Sequence, residues 1–549
     1  MSKVSRGLAL WLILGLLAGC SNGARPLKFN LGIESTQLDW NKAIDATSVV
    51  LLDNVMEGLT TYSAALQGYR PDLLRPLPAL AASWSVSEGG RVYRFHLRPG
   101  ITWTDGQPLV AQAFVDSWQR LLNPETRSAN AYHLFDIENA RAYNEGRLKS
   151  FSSVGVRALD ELTLEVHLRR QAPYFLHLVA SASTFPVRRD LIERFGDAWA
   201  NPDNLVTLGP YQISEFSPGD RVVLRAFSEH HLGLPPIREV ICRLVAEPLT
   251  AYALFENGEL DILPRDLPPS FAKRLLLHPD YRTGPRLSVS YLLFNTKRAP
   301  FDTPSRRRAF IQAMDRAALS NYFEGTQVPT RSWIPPGLLG HTEAVGVRAD
   351  ALANGSLHAR EPVELRYSGS DTWNLVFQAV QRQMKEKLGL TAKLNKVEST
   401  EYGDYLSLLS LPRKGAEALP QLNHLGWVAD YPDPHSFMNV FTSTSESNYT
   451  GWSNPRYDRL VERAVATENE GVRAALYTEA QRILLEEEAV LMPLFYTSHQ
   501  ALVRSELKGV QLNVLDKWYF RNMEFQGSGW RGFGRSFLKR LSPATSREG

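Results

Sequence analysis

Cysteine is nearly missing from this chain, with two residues in 549, Cys20 and Cys242. Cys20 lies in the leader, so the folded body keeps one thiol and can form no internal disulfide. Cys242, in "REVICRLVAE", reads as a buried strand residue, because nothing beside it would polarise a thiol. A dominant charge sign is also missing: 61 basic against 58 acidic groups leave only +3, which argues against nucleic acid as a partner. The 33 prolines and 37 glycines are spread without a low-complexity tract or a repeat period, which excludes a solenoid. Catalytic signatures are absent too, with no H-E-x-x-H, no G-x-S-x-G and no P-loop. Gly527, Gly529 and Gly532 match G-x-G-x-x-G, but the chain ends too soon after them for a dinucleotide site. Glu229, His230 and His231 precede "GLPP" and read as a solvated loop rather than metal ligands. No cofactor and no metal are expected.

What is present is globular: 44% hydrophobic and 22% charged residues, in a length that suits about three or four domain-sized pieces. The first twenty residues, "MSKVSRGLALWLILGLLAGC", carry Lys3 and Arg6 ahead of an apolar core from Leu8 to Ala18. That core is too short to span a bilayer comfortably and reads as a secretion signal. Leu17-Ala18-Gly19-Cys20 resembles the bacterial lipobox, so residues 1–20 are expected to be a lipoprotein signal peptide and Cys20 the lipidated first residue. Residues 21–26 then serve as a tether, and the protein is expected in the periplasm, anchored to a membrane.

Beyond the tether, hydrophobic periodicity alternates between strand and helix. A strand is expected near Leu27 to Ile33, then a helix carrying Val49, Leu52, Val55, Met56 and Leu59. "RVYRFHL" and "ELTLEVHLRR" have period two and read as half-buried antiparallel strands. Between them, Phe114, Trp118 and Leu121 share a helical stripe that Pro124 stops. Later, "SRRRAFIQAMDRAAL" reads as one helix and "LSVSYLLFN" as a strand. Tyr457, Leu460, Val461, Ala464 and Val465 mark a further helix, followed by another with Leu476, Ala480, Ile483 and Leu484. Segments 341–362 and 411–420 read as surface loops, and residues 526–549 as a basic, glycine-rich tail suited to anionic lipid. The fold class is α/β, built in several lobes.

Six phrases then carry a resemblance: "LDWNKAIDATSVVLLDNVMEGL", "GITWTDGQPLVAQAFVDSWQRLLNPET", "FGDAWANPDNLVTLGPYQISEF", "RAPFDTPSRRRAFIQAMDR", "GWVADYPDPHSFMNVF" and "PRYDRLVERA". In this order, from about residue 27 to 525, the chain resembles the dipeptide and oligopeptide substrate-binding proteins of bacterial ABC importers. The resemblance implies a periplasmic-binding-protein type II fold with two ligand-enclosing lobes plus a small extra lobe. Lobe I would comprise 27–58, 182–285 and 503–525, lobe II 59–181 and lobe III 286–502. It also implies a monomer that captures a peptide between lobes I and III and delivers it to an ABC permease in the inner membrane, without covalent chemistry.

By position, Asp430 stands where the family pairs an aspartate with the ligand's α-ammonium. The chemistry agrees, since a peptide bound as an added strand gains generic main-chain bonds and needs a charge to fix its end. Taken alone, "DYPDP" would equally make Asp430 a turn cap. Trp427 resembles the family tryptophan at a side-chain pocket. Asp45 and Ala46 fall where lobe I offers backbone to the ligand, and Tyr132, Tyr291 and Tyr496 fall near cleft tyrosines. Two positions depart from the oligopeptide-binding member. An arginine and a histidine that hold the ligand's carboxylate there are His424 and Trp373 here, which suits a murein peptide, another small solute or a signal as cargo. A third reading, from another class, makes Asp430 and Asp433 the paired carboxylates of a hydrolase.

Overall fold

The computed structural model describes residues 25–526 except 34, 36, 63–74, 266, 269–270, 350–356, 358, 360, 370, 398–408, 410–418 and 446. The leader with Cys20, nearly all of the basic tail and most of the loop expected at 411–420 lie outside the described residues.

Strand β1 (Leu27–Asn30) leads into helix α1 (Ala46–Val55). Next, β2 (Ala81–Ser87), β3 (Val92–Leu97), β4 (Val156–Ala158) and β5 (Thr163–His167) form a separate antiparallel sheet in the order β2-β3-β5-β4. Helix α2 (Gln112–Leu122) lies between β3 and β4 in the chain. Its apolar stripe buries Phe114, Trp118 and Leu121, and Asn123 and Pro124 end it as expected. Then come β6 (Tyr211–Ser217), β7 (Arg221–Ala226), β8 (Glu239–Arg243), β9 (Ile262–Leu263) and the long β10 (Tyr281–Phe294). The rest of the chain supplies α3 (Pro304–Ala313), β11 (Gln327–Pro329), β12 (Val363–Ser368), α4 (Asp371–Leu388), β13 (Ala392–Val397) and β14 (Leu422–Val428). Helices α5 (Pro455–Val465) and α6 (Glu470–Arg482) precede the second long strand, β15 (Leu491–Val503).

The large sheet runs β13-β12-β14-β10-β15-β9-β1-β8-β7-β6, with β11 also on β15. β10 and β15 sit at its centre and pair with each other, β10 carrying β14 on one flank and β15 carrying β9 on the other. From Leu287 to Phe294 every residue of β10 is buried, as a strand covered on both faces requires. Nearer its start the exposure rises, and the pairing with β15 slips between Pro285 and Val289 and again at Ser290–Tyr291. The lobe boundary expected at 285/286 therefore falls inside a continuous strand. One apolar core joins β1 and α1 to the β2–β5 sheet, and further cores gather around Trp333, Phe437 and Tyr477 and around Phe310, Phe377 and Phe495.

Two expectations are corrected here. "SRRRAFIQAMDRAAL" is two helices, Pro304–Ala313 and Arg316–Ser320, because Asp315 turns extended and its carboxylate caps the second at Ala318 N–H (3.0 Å). The second concerns His230 and His231, which are not a solvated loop. Both ring Nε2 atoms meet the buried Glu57 carboxylate, at 3.2 and 2.7 Å, and Arg521 joins them there. Burial raises the Glu57 carboxyl, but His231, His230 and Arg521 outweigh it and hold the group well below its usual range. This network ties the end of α1 to a loop and to the C-terminal segment.

Arg307, 2% exposed, spends its guanidinium on main-chain carbonyls: Phe301 O at 2.7 Å, Ala489 O at 3.1 Å and Glu488 O at 2.6 Å. It thereby closes the π-helical turn Ile483–Glu487 that prolongs α6 against α3. Replacing it leaves three carbonyls in a dry site at about 1–3 kcal/mol each. Arg307→Met is therefore expected to destabilise the protein by about 3 kcal/mol or more, read as a lowered urea midpoint. A midpoint unchanged within error would remove Arg307 from the account.

Candidate ligand-binding site

Strand β14, "LNHLGWV", has two unlike edges. On one, all seven residues pair with β10, from Leu422↔Phe294 to Val428↔Ser288. On the other, β12 covers only Leu422 and Asn423. From His424 to Val428 that edge has no strand partner among the described residues. Gly426 is exposed there, and a Cβ placed on it would meet nothing within 4 Å. An uncovered stretch of edge beside an open glycine is a template for an extended chain.

Past the strand, Ala429 N–H still donates to Leu287 O (2.8 Å) before the chain turns through "DYPDP". The turn cap is Asp433, whose Oδ1 accepts His435 N–H (2.8 Å) and whose two carboxylate oxygens both take Arg473 (2.7 and 2.8 Å). Asp430 is thus not needed for that role. Its own N–H donates to Ser436 Oγ (3.0 Å), and its carboxyl accepts from the Tyr132 and Ser436 side chains. Among the described residues no ion pair reaches it. Burial therefore dominates over those two hydroxyls and lifts its pKa from 3.8 to about 7. Tyr132 comes from the short helical turn Ala131–Leu134, so this contact bridges the β2–β5 unit and the β14 region. A second bridge lies beside it, where the Tyr174 ring stacks on Tyr431 (4.9 Å) and His435 (4.5 Å).

Of the other expected residues, Trp427 is half-buried and fixed by Nε1–H donating to Ser436 O (2.9 Å). His424 is buried, bonded to Ser290 Oγ at 2.9 Å and covered by the Trp373 indole at 4.1 Å. Burial pushes its pKa down to about 3, so this imidazole carries no charge at neutral pH. Trp373 also meets Phe323 at 4.9 Å and Phe377 at 5.6 Å, completing an aromatic wall. Asp45 caps α1, its carboxylate accepting Ser48 N–H (2.7 Å), and Ala46 is exposed at the first helical position. Tyr291 and Tyr496 lie inside the apolar core around Trp333: Tyr291 packs edge-on against Trp333 (4.9 Å), and Tyr496 donates to Glu343 Oε1 (3.1 Å). The structure thus gathers Asp430, Trp427 and Tyr132 around Ser436, and sets His424 against Trp373 at the far end of the open edge. Ser436 was visible in "DYPDPHSF" as a nearby hydroxyl. Tyr174 had no local signal, since its partners stand some 260 positions later by residue number.

Comparison with known proteins places the chain in a class. Residues 75–449 match the model of the bacterial extracellular solute-binding proteins, family 5, and the chain belongs to that family. Relatives in Escherichia coli (strain K12) include the periplasmic oligopeptide-binding protein OppA, 29% identical with 90% of this chain and 91% of OppA covered. Another is named "Probable deoxycholate-binding periplasmic protein YgiS", 29% identical over 88% of this chain and 90% of that protein. The solved structure of the Escherichia coli murein tripeptide binding protein MppA covers 91% of this chain and 98% of its own, at 26% identity and a TM-score of 0.78. The unliganded open form of that protein fits less well, at 0.69. The fold is therefore the periplasmic-binding-protein type II fold, and the chain is a solute-binding protein of the peptide ABC importer kind, not an enzyme.

The raised Asp430 pKa sets a stability test. A folded-state pKa above the unfolded one means that the native protein holds the extra proton between pH 4 and 7, so stability falls as pH rises through that window. Asp430→Asn stays neutral throughout. In ligand-free protein it is expected to match the parent near pH 4 and exceed it by about 2 kcal/mol or more at pH 8. A variant no more stable at pH 8 than at pH 4, relative to its parent, would show that the carboxyl is already compensated.

Proposed function

We propose that this protein is the lipid-anchored receptor of a peptide ABC importer. A peptide enters between the lobe of 27–58, 182–285 and 503–525 and the lobe of 286–502, and adds as a strand along His424–Val428. Its α-ammonium pairs with Asp430, and closure occurs by flexing of β10 and β15, the two strands that run through both halves. Segment 59–181 brings Tyr132 to the same carboxylate. The loaded receptor, held at the membrane by acyl chains on Cys20, passes its cargo to the permease.

The observation that supports this most is the half-buried Asp430 carboxyl beside an open strand edge, with two hydroxyls and, among the described residues, no cation. A ligand ammonium supplies what is missing. Asp430→Ala should cost about 2–5 kcal/mol of affinity for a free-amine tripeptide, roughly 30-fold to several thousand-fold. Because a carboxyl with a pKa near 7 must ionise before it pairs, affinity should also rise about tenfold per unit toward pH 7 and level off above it. Calorimetry across pH 5 to 8 reads both, and a flat profile would contradict the pairing.

A second reading keeps the fold and changes the cargo to a murein peptide or another small solute. Its support is the neutral His424 under Trp373, where the oligopeptide-binding member holds charge for the ligand's far end. Native mass spectrometry of the purified protein separates the two: a ladder of linear peptides favours the first, a single discrete mass the second.

A further inference from the structure

Beyond Trp373 lies a half-open cavity of about 490 Å³, lined by β10, β11, the middle of β15, the start of α4 and the C-terminal segment. Buried polar atoms without a hydrogen-bond partner on residues that line it include Arg265 Nε, Gln327 Oε1, Thr497 Oγ1 and His499 Nε2. Buried polar groups are nearly always paired, so a concentration of unpaired ones around one cavity marks a place built for an occupant.

The charges say which kind. Arg286 lies 2.9 Å from Asp516 Oδ2 and Arg265 3.9 Å from the same oxygen, so one carboxylate answers two guanidinium groups. Burial and Arg286 together outweigh Asp516 at His499, whose imidazole stays neutral with a pKa of about 4. Among the described residues the lining therefore carries one positive charge in excess. Thr497 adds a hydroxyl donor, and Tyr322, Phe323 and Trp373 close one side with aromatic surface.

We infer that this cavity takes a carboxylate of the bound ligand, either its terminal group or an acidic side chain, with Arg265 as the residue that selects for it. The inference rests on the ligand cleft proposed above, and it relocates the anion site from His424 and Trp373 to a different set of residues. Guanidinium recognition of a carboxylate in a partly dry site is strong and directional. An occupant that brings its own negative charge completes the pairing that Asp516 alone leaves short.

The test measures binding of two probe sets to the full protein. One set is tetra-alanine peptides with a free or amidated C-terminus and with Glu or Gln at each position. The other is deoxycholate and its methyl ester, a carboxylate on a non-peptide frame. The expected result is that at least one acidic probe binds about tenfold or more tighter than its neutral twin. The C-terminal and side-chain arms tell which carboxylate is used. Arg265→Gln should abolish that preference while leaving neutral probes unchanged, and Gln327→Glu should reverse it, with thermal unfolding confirming that both variants fold. Equal binding of acid and neutral forms in every pair overturns the inference, as does a preference that survives both substitutions. If deoxycholate discriminates and no peptide binds, the peptide cargo fails and the carboxylate site stands. If peptides bind and no acidic probe is preferred over its neutral twin, the peptide cargo stands and the carboxylate site fails.

Discussion

The pairing of β10 with β15 is the constraint on which everything else hangs. These two strands are the only long ones among the described residues, 14 and 13 residues, and they lie side by side at the centre of the large sheet. β10 gives β14 its covered edge, and so leaves the opposite edge available. β15 supplies Thr497 and His499 to the cavity beyond Trp373 and pairs with β9 on its other flank, which in turn pairs with β1. The register slips between Pro285 and Tyr291 interrupt that pairing, and they are where the domain closure proposed above would find a soft point.

Around that frame, polar chemistry is distributed unevenly. Most buried charges are answered locally: Asp433 by Arg473, Glu57 by two histidines and Arg521, Arg307 by main-chain carbonyls. Asp430 and the Arg265–Arg286 pair are the departures among the described residues, one a half-buried acid that no ion pair reaches, the other two guanidinium groups that meet at the Asp516 carboxylate. Imbalances of opposite sign within one binding protein are the pattern expected of a receptor for a zwitterionic or acidic solute. Each imbalance costs stability in the empty protein, and a ligand relieves it.

Much of this was legible in the sequence, for physical reasons that can be named. Period-two runs such as "RVYRFHL" and helical stripes such as Phe114, Trp118 and Leu121 report burial directly, and each became the expected element. Asp430 and Trp427 are singled out by the phrase that contains them, as the residues on which the proposed ligand contact is to be tested. Illegible were contacts made across long separations. His230 and Glu57 are 173 residues apart, and nothing local distinguishes a buried histidine pair from an exposed one. Arg265, Arg286 and Asp516 fall in three distant segments, and only the sheet brings them to one cavity. The break at Asp315 was missed because a capping aspartate inside an otherwise helical pattern looks like any surface acid until its carboxylate is seen on the next turn.

The central claim is that Asp430 answers a ligand ammonium, and it is tested most directly by removing the charge from both partners in turn. Binding of tri-alanine and N-acetyl-tri-alanine would be measured by calorimetry against the parent protein and Asp430→Ala. The account predicts that acetylation weakens binding to the parent by about 30-fold or more and to the variant by no more than about threefold, since the partner is already gone. The same acetylation penalty in both proteins, or none in the parent, would contradict it.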